Sequence, residues 1–385
     1  MTICLVHNYY KSDSPSGENI VFDQDYEFLR TAGYSPLKYI QHNDNLKSGI
    51  RALISASANS LWSFDQRKKL QSFVDQHSVK TLHFHNTFPL LSPSVLTVKA
   101  PQKLMTIHNF RMFCINGLFL RKGQVCTSCL NQKLNLSGIT NKCYRDSVPA
   151  SLVAQFGNIL ARQLDLWQKH IDQFICLTNF HKDILIQGGI SENRILVKPN
   201  FYNGKLNKSY NSKSNYILFI GRLSDEKGIM EAVSAWLHKP IEGMRFKVVG
   251  DGPLLKTLQT IADGRNDLIV AGRKKYSDVI AEIRGAQFLI VPSKWYEGYP
   301  MVIREAVANS IPSLVNNIGA LPFCVQGGVG RVYDANTAEK LNRIMRSLVN
   351  DVESRKNMSN ACDEKYNSEL SVDAHRHFID RVYLK

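Results

Sequence analysis

The stretch Tyr216-Ile217-Leu218-Phe219-Ile220-Gly221-Arg222-Leu223-Ser224-Asp225-Glu226-Lys227-Gly228 decides how the chain is read. Its first five residues are a short, unbroken apolar run, the pattern of a strand buried on both faces. Gly221 closes the run, and the loop behind it carries two cations, Arg222 and Lys227. From Lys227 to Leu237 apolar residues recur at helical spacing. The same order then repeats. Strands are predicted at Phe246–Val249, Asp267–Val270 and Phe288–Val291, and helices at Leu254–Ala262, Ser277–Arg284 and Met301–Ala308. Such alternation predicts a parallel sheet covered by helices on both faces. Ligands of these sheets bind at the carboxyl ends of the strands.

The first half shows the same alternation less regularly. Strands are predicted at Thr2–Val6, Thr81–His85, Lys103–His108 and Gln173–Leu177, with helices at Ile20–Ala32, stopped by Gly33, and Pro149–Lys169. Tyr202–Asn215 is poor in large apolar residues and rich in Asn, Ser and Lys, as a linker is. A chain of 385 residues accommodates two domains of nearly equal size. The boundaries are 1–200 for a first Rossmann-like domain with a Cys-rich insertion at about 110–145, and 201–215 for the linker. A second Rossmann-like domain occupies 216–370, and a C-terminal helix at 371–385 is expected to pack back toward the first domain.

Composition excludes general disorder: 44% of residues are hydrophobic and 21% charged. No run reaches the roughly 18 apolar residues of a membrane span. Ile3–Val6 stops at His7 with no basic leader, so the start does not read as a signal peptide, and a cytoplasmic chain is expected. The formal net charge is +15. Gln76–Arg145 contains no carboxylate and nine cations: Lys80, Lys99, Lys103, Arg111, Arg121, Lys122, Lys133, Lys142 and Arg145. Random scatter of 33 carboxylates would place about six in such a window. The field attracts an anion: a membrane surface, a phosphorylated acceptor or nucleic acid.

Arg222 and Lys227, placed where a strand end meets a helix, suit a diphosphate: arginine forks two oxygens and lysine adds a point charge. A second motif is Glu297-Gly298-Tyr299-Pro300-Met301-Val302-Ile303-Arg304-Glu305. Glu297 lies in the loop after strand Phe288–Val291. Pro300 fits the first turn of the next helix, where its missing N–H costs nothing. Backbone N–H groups around Tyr299, Met301 and Val302 are aimed to bind phosphate oxygens. Glu305, about one turn into the helix, suits paired ribose hydroxyls.

Together these motifs resemble the retaining glycosyltransferases of family 4, which have the GT-B fold: α/β, with two Rossmann-like doubly wound domains facing a central cleft. The resemblance covers nearly the whole chain. It rests on Ser14–Gly17, Thr106-Ile107-His108-Asn109, Val197-Lys198-Pro199-Asn200, the Arg222/Lys227 pair, Val248-Val249-Gly250-Asp251-Gly252-Pro253 and the Glu297/Glu305 pair, in the family's order. It implies that Gly17 lets a loop approach the donor phosphates and that His108 contacts the donor sugar. Arg222 and Lys227 would hold the leaving diphosphate, Glu297 the sugar, Glu305 the ribose, and Arg273 would lie near the base. The chain departs from the family at Ser16-Gly17-Glu18, at Asn309-Ser310 and at Gly319-Ala320-Leu321-Pro322-Phe323.

The resemblance implies transfer with retention by front-face displacement, with the leaving phosphate taking the acceptor's proton. The Asp-x-Asp at Asp23-Gln24-Asp25 falls inside the predicted helix Ile20–Ala32 and is not of the sort that other glycosyltransferases use for a metal-bound diphosphate, so metal-independent chemistry is expected, with a nucleotide diphosphate sugar as donor. The resemblance implies that the 1–200 domain is acceptor-binding, for a glycan or a lipid diphosphate, and that the 216–370 domain is nucleotide-sugar-binding. The expected place is the inner face of an anionic membrane, in lipopolysaccharide or similar surface-polysaccharide synthesis. Cys114, Cys126, Cys129 and Cys143, with a Cys-x-x-Cys knuckle at their centre, fit a structural zinc site. Two other functions compete. A nucleotide-sugar epimerase would share the architecture. A nucleic-acid-binding protein would share the basic charge, but no recognition motif accompanies it and the glutamates would repel phosphate.

Overall fold

The computed structural model describes residues 2–12, 16–45, 59–132, 134, 136–207 and 214–383. Ser14 and Pro15 of the first loop motif, Lys133 of the basic stretch and residues 208–213 of the linker lie outside them. The chain divides into two compact units. One runs to Lys198; the other starts at Pro199 and includes Leu120–Val125.

The first unit holds a six-stranded sheet of β1 (Thr2–Tyr9), β2 (Ser35–His42), β3 (Thr81–Asn86), β4 (Gln102–Ile107), β7 (Gln173–Cys176) and β8 (Ile195–Val197), in the order β2-β1-β3-β4-β7-β8. Every pairing in it is parallel. The direction of winding reverses between β1 and β3. The Gly17–Thr31 helix follows β1; Ser16 opens it by accepting the Glu18 N–H. The expected helix Pro149–Lys169 is two helices, Val148–Gln163 and Leu166–His170. The break is at Asp165, whose φ of 50° is left-handed and cannot continue a helix. Between β4 and the Val148–Gln163 helix lies the Cys-rich segment, with the antiparallel pair β5 (Leu120–Arg121) and β6 (Gln124–Val125). Arg162 holds that segment to the helix by donating to the carbonyls of Cys129 and Leu130.

The second unit repeats the plan with β9 (Tyr216–Ile220), β10 (Arg245–Val249), β11 (Leu268–Val270), β12 (Phe288–Val291), β13 (Ser313–Asn316) and β14 (Gly330–Tyr333). The order is β11-β10-β9-β12-β13-β14, again all parallel. Its core joins Ile217, Phe219, Phe246, Val248, Phe288 and Leu314 of the strands to Ile229, Val233 and Trp236 of the covering Ile229–His238 helix. The helix expected from Lys227 begins two residues later, because Asp225–Lys227 forms a tight 3-10 turn. Gly228 separates the two at φ 67°, a left-handed conformation that glycine adopts without cost. The C-terminal Val372–Tyr383 helix belongs to this unit, where His375 stacks on Phe201 with ring centroids 4.1 Å apart. The winding reverses between β9 and β12, so the loops after those two strands flank the switch point.

Candidate functional site

The loops after β9 and β12 are tied together. The Lys294 N–H donates to the Glu226 carbonyl at 2.9 Å. Gly228 packs so tightly on the second loop that a Cβ there would lie 1.9 Å from the Pro292 carbonyl oxygen. This contact sets Lys227 opposite Glu297, and its Nζ donates to Glu297 Oε1 at 2.7 Å. The same oxygen accepts from Ser293 Oγ at 2.7 Å and Trp295 Nε1 at 3.1 Å. Lys227 Nζ also lies 5.1 Å from the Trp295 ring centre, a cation–π contact. Glu297 is buried, and three donors converge on its Oε1, the pairing that a buried carboxylate requires. Arg222 is exposed, and among the described residues no carboxylate pairs with it.

Pro300 stands at the N-cap of the Met301–Ala308 helix, one residue before the first turn expected for it. No side chain caps that end; in its first turn the Ile303 N–H donates to the Pro300 carbonyl at 3.0 Å. Gly298 and Tyr299 lead into it, and Tyr299 is buried with its hydroxyl unbonded among the described residues. Arg273 is exposed and faces Asp251 at 3.7 Å. Thus Arg222, Lys227, Arg273, Glu297, Gly298, Tyr299, Pro300, Met301 and Glu305 all lie in the second unit. Ser293 and Trp295 were not among the residues expected. An aromatic residue two places before Glu297 was the available signal for Trp295.

Gly17 and His108 belong to the first unit. Gly17 opens the helix after β1, and its neighbour Glu18 accepts from Asn109 Nδ2 at 2.7 Å, which ties that helix to the loop carrying His108. His108 Nε2 lies 3.0 Å from Nδ1 of His85, another residue that sequence reasoning passed over. Both rings are held below the ordinary histidine range by burial. They line a cavity of about 70 Å³ with Asn109, Arg111, Asn158 and Trp167.

The cysteines also belong to the first unit. Cys114 is buried; Cys126, Cys129 and Cys143 are half-buried. Backbone N–H groups of Phe119, Asn116 and Gly117 reach the Cys114 sulfur, and that of Gly138 reaches Cys129. Burial raises Cys129 to about 11, and proximity to Cys114, Cys143 and Cys126 adds to the rise. Soft sulfur donors served by backbone N–H groups fit zinc chemistry. Among the described residues, however, no group of three or more His, Cys, Asp or Glu side chains is arranged to hold a metal ion.

This geometry has counterparts in known proteins. Residues 205–365 are recognised as a domain of the glycosyl transferases group 1. Over 193 residues the chain is 31% identical to an uncharacterised glycosyltransferase of Methanocaldococcus jannaschii, covering 49% of this chain and 52% of that one. Over 209 residues it is 24% identical to the amylovoran biosynthesis glycosyltransferase AmsD of Erwinia amylovora, covering 52% and 56%. The alignments span about half the length of these curated relatives. Among solved structures, Anabaena HepE in complex with UDP superposes with a TM-score of 0.67 at 14% identity, covering 100% of both chains. Sucrose-phosphate synthase of Thermosynechococcus elongatus superposes with 0.70 at 15% identity, covering 100% of this chain and 98% of that one. The fold is therefore GT-B, and the group 1 domain contains both loops tied at Gly228.

Within the group 1 domain, Glu305 has a titration that can be measured. Burial lifts it to about 7, against the downward pull of Arg304 and of a Tyr276 hydrogen bond. Between 4.5 and about 7 the folded chain keeps this proton and the unfolded chain has lost it. The folded state binds more protons there, so stability falls as pH rises through the window. Relative to Glu305→Gln, the wild-type chain should lose about 3 kcal/mol across it. Denaturation curves of the two proteins over that range measure the difference. Parallel pH dependence would place Glu305 in the ordinary carboxylate range.

Proposed function

We propose that the chain is a retaining glycosyltransferase that moves a sugar from a nucleotide diphosphate donor to a glycan or lipid-linked acceptor in surface-polysaccharide synthesis. The observation that carries this reading is the switch point of the second sheet. There two cations, a donor-matched carboxylate and an uncapped helix start meet within a group 1 domain. Arg222 and Lys227 would take the diphosphate, with the N–H groups of the Met301–Ala308 helix aimed at the same charge. Glu297 would meet the sugar and Glu305 the ribose hydroxyls, with Arg273 near the base. Gly17 and His108 would act from the first unit, which we assign to the acceptor. As the bond to the leaving phosphate lengthens, these positive groups stabilise the charge that develops on it. The departing phosphate oxygen takes the acceptor's proton, so no separate base and no metal ion are required. The name of the Erwinia relative, a glycosyltransferase of amylovoran biosynthesis, supports the polysaccharide assignment.

Alanine at Arg222 or Lys227 should lower the transfer rate by about 10²–10³-fold, the usual cost of losing one ligand to a developing oxyanion. Turnover is measured with the donor found from a thermal-shift panel of UDP, GDP, ADP and CMP and their sugars. Wild-type turnover in both variants would exclude the diphosphate role.

We further propose that the chain works at an anionic membrane surface. No described helix is long and apolar enough to cross a bilayer. The Val148–Gln163 helix exposes Val148, Leu152 and Phe156 one turn apart, at 42%, 49% and 57%. Exposed Arg121, Lys122, Lys142 and Arg145 come from the carboxylate-free stretch just before it. A few such cations, at about 1 kcal/mol each, suffice for reversible attachment. Sedimentation with vesicles should require anionic lipid, weaken with salt, and weaken in Phe156→Ser and in the Arg121→Ser, Lys122→Ser double variant. Equal binding to neutral vesicles would rule this out.

For the cysteine loop we propose a structural, non-catalytic zinc held by Cys114, Cys126, Cys129 and Cys143, which would pin the loop that meets the acceptor. Elemental analysis of freshly purified protein should find about one zinc per chain. Protein free of zinc would leave the four thiols without this role.

A further inference from the structure

We propose that His85 is a positioning residue that sets the tautomer of His108 and leaves His108 Nδ1 bare, as an acceptor for a substrate hydroxyl. The proposal rests on the assignment of His108 to the sugar-binding machinery.

The argument begins with strand register. β1 and β3 pair Val6 with Phe84 and then His7 with Asn86, so His85 is an extra residue, a β-bulge. Bulges re-aim a side chain at the rim of a sheet. Here the bulge turns the His85 ring onto His108, with ring planes 24° apart and centroids separated by 5.2 Å. Phe22 abuts the ring edge-on at 5.3 Å and His83 is tilted against it at 4.5 Å, so it has little room to flip.

The two nitrogens of His85 face different partners. Nδ1 lies 3.0 Å from His108 Nε2. Nε2 is buried, has no hydrogen-bond partner among the described residues, and lies 3.8 Å from Oδ2 of Asp25 on the Gly17–Thr31 helix. Burial keeps His85 neutral, so one nitrogen carries a proton and the other is bare. A bare nitrogen facing a carboxylate would set two lone pairs against each other; an N–H there is attracted. The proton therefore sits on Nε2, and His85 Nδ1 must accept. His108 then donates from Nε2, which leaves its Nδ1 bare. His108 is itself neutral through burial. Glu18 is also near, with its Oε1 already taken by Asn109, and Arg111 lines the same cavity. His7 and His181, also near, are held neutral by burial.

The resulting line runs Asp25, His85, His108, and it presents an acceptor where a sugar hydroxyl can donate. Histidine-selective ¹⁵N NMR of the full chain reads the tautomer directly, with His108→Gln used to assign the signal. The expected signal at pH 7 is neutral His108 protonated at Nε2. His85→Phe keeps the ring and removes both nitrogens. It should release the tautomer preference and lower kcat about 10–100-fold, as loss of an orienting partner does, with the donor KM little changed. His85→Asn, whose carbonyl can accept in place of Nδ1, should recover most of the rate. Nδ1-protonated His108 in the wild-type chain would overturn the proposal, as would an unchanged tautomer and kcat in folded His85→Phe. Wild-type turnover in His108→Ala would instead remove His108 from the sugar-binding machinery, while the NMR signal still decides the pairing.

Discussion

The second unit depends on one close approach, that of Gly228 to the Pro292 carbonyl. A Cβ at 1.9 Å from an oxygen cannot be accommodated, and the backbone at φ 67° also disfavours any side chain. Because the approach is possible, the loops after β9 and β12 lie against each other at the sheet's switch point. The Lys294–Glu226 backbone bond, the Lys227–Glu297 ion pair and the Lys294–Glu231 pair at 2.5 Å all bridge these two loops or the helix that follows the first. Similar tight glycines support the neighbouring loop: a Cβ at Gly250 would lie 1.9 Å from the Gly221 carbonyl oxygen. Residues up to seventy positions apart in sequence are thereby fixed as one polar cluster at the ends of the apolar strands β9 and β12.

In the first unit a different constraint does comparable work. Its polar strand ends carry histidines, of which burial keeps His7, His85 and His108 neutral. His83 bonds Thr106 at 2.7 Å, His7 bonds Asn19 at 3.0 Å, and His85 meets His108. Neutral rings can be stacked in a dry interior at little electrostatic cost, whereas lysine or arginine would each demand a carboxylate. A basic chain thus sets neutral rings at these strand ends and places cations such as Lys80, Lys142 and Arg145 at the unit's surface.

How legible this was in the sequence depended on what each element buries. Tyr216–Ile220, Phe288–Val291 and Met301–Ala308 have the bounds expected of them, because apolar runs closed by glycine or proline leave little latitude. β2 went unread: Ser35–His42 is a sheet-edge strand of mixed polarity with no fully buried residue. The Phe64–Gln76 helix also went unread, since it is densely charged and buries only Leu70 and Val74. Motif order pointed to Lys227 and Glu297 as separate residues, but not to their bond, which depends on the Gly228 contact. His85 was invisible for a similar reason. Its direction comes from a register shift between β1 and β3, which no local pattern records.

The matching of Glu297 has a consequence for any anion that reaches this loop. Lys227 is already neutralised, so the long-range pull on an approaching anion comes from exposed Arg222. Close in, the anion competes with Glu297 for the lysine. If Lys227 turns away, Glu297 is not stranded, because Ser293 and Trp295 still donate to it. The carboxylate would therefore keep two donors while its cation was drawn off by an anion, and the exchange of counter-ions would be reversible.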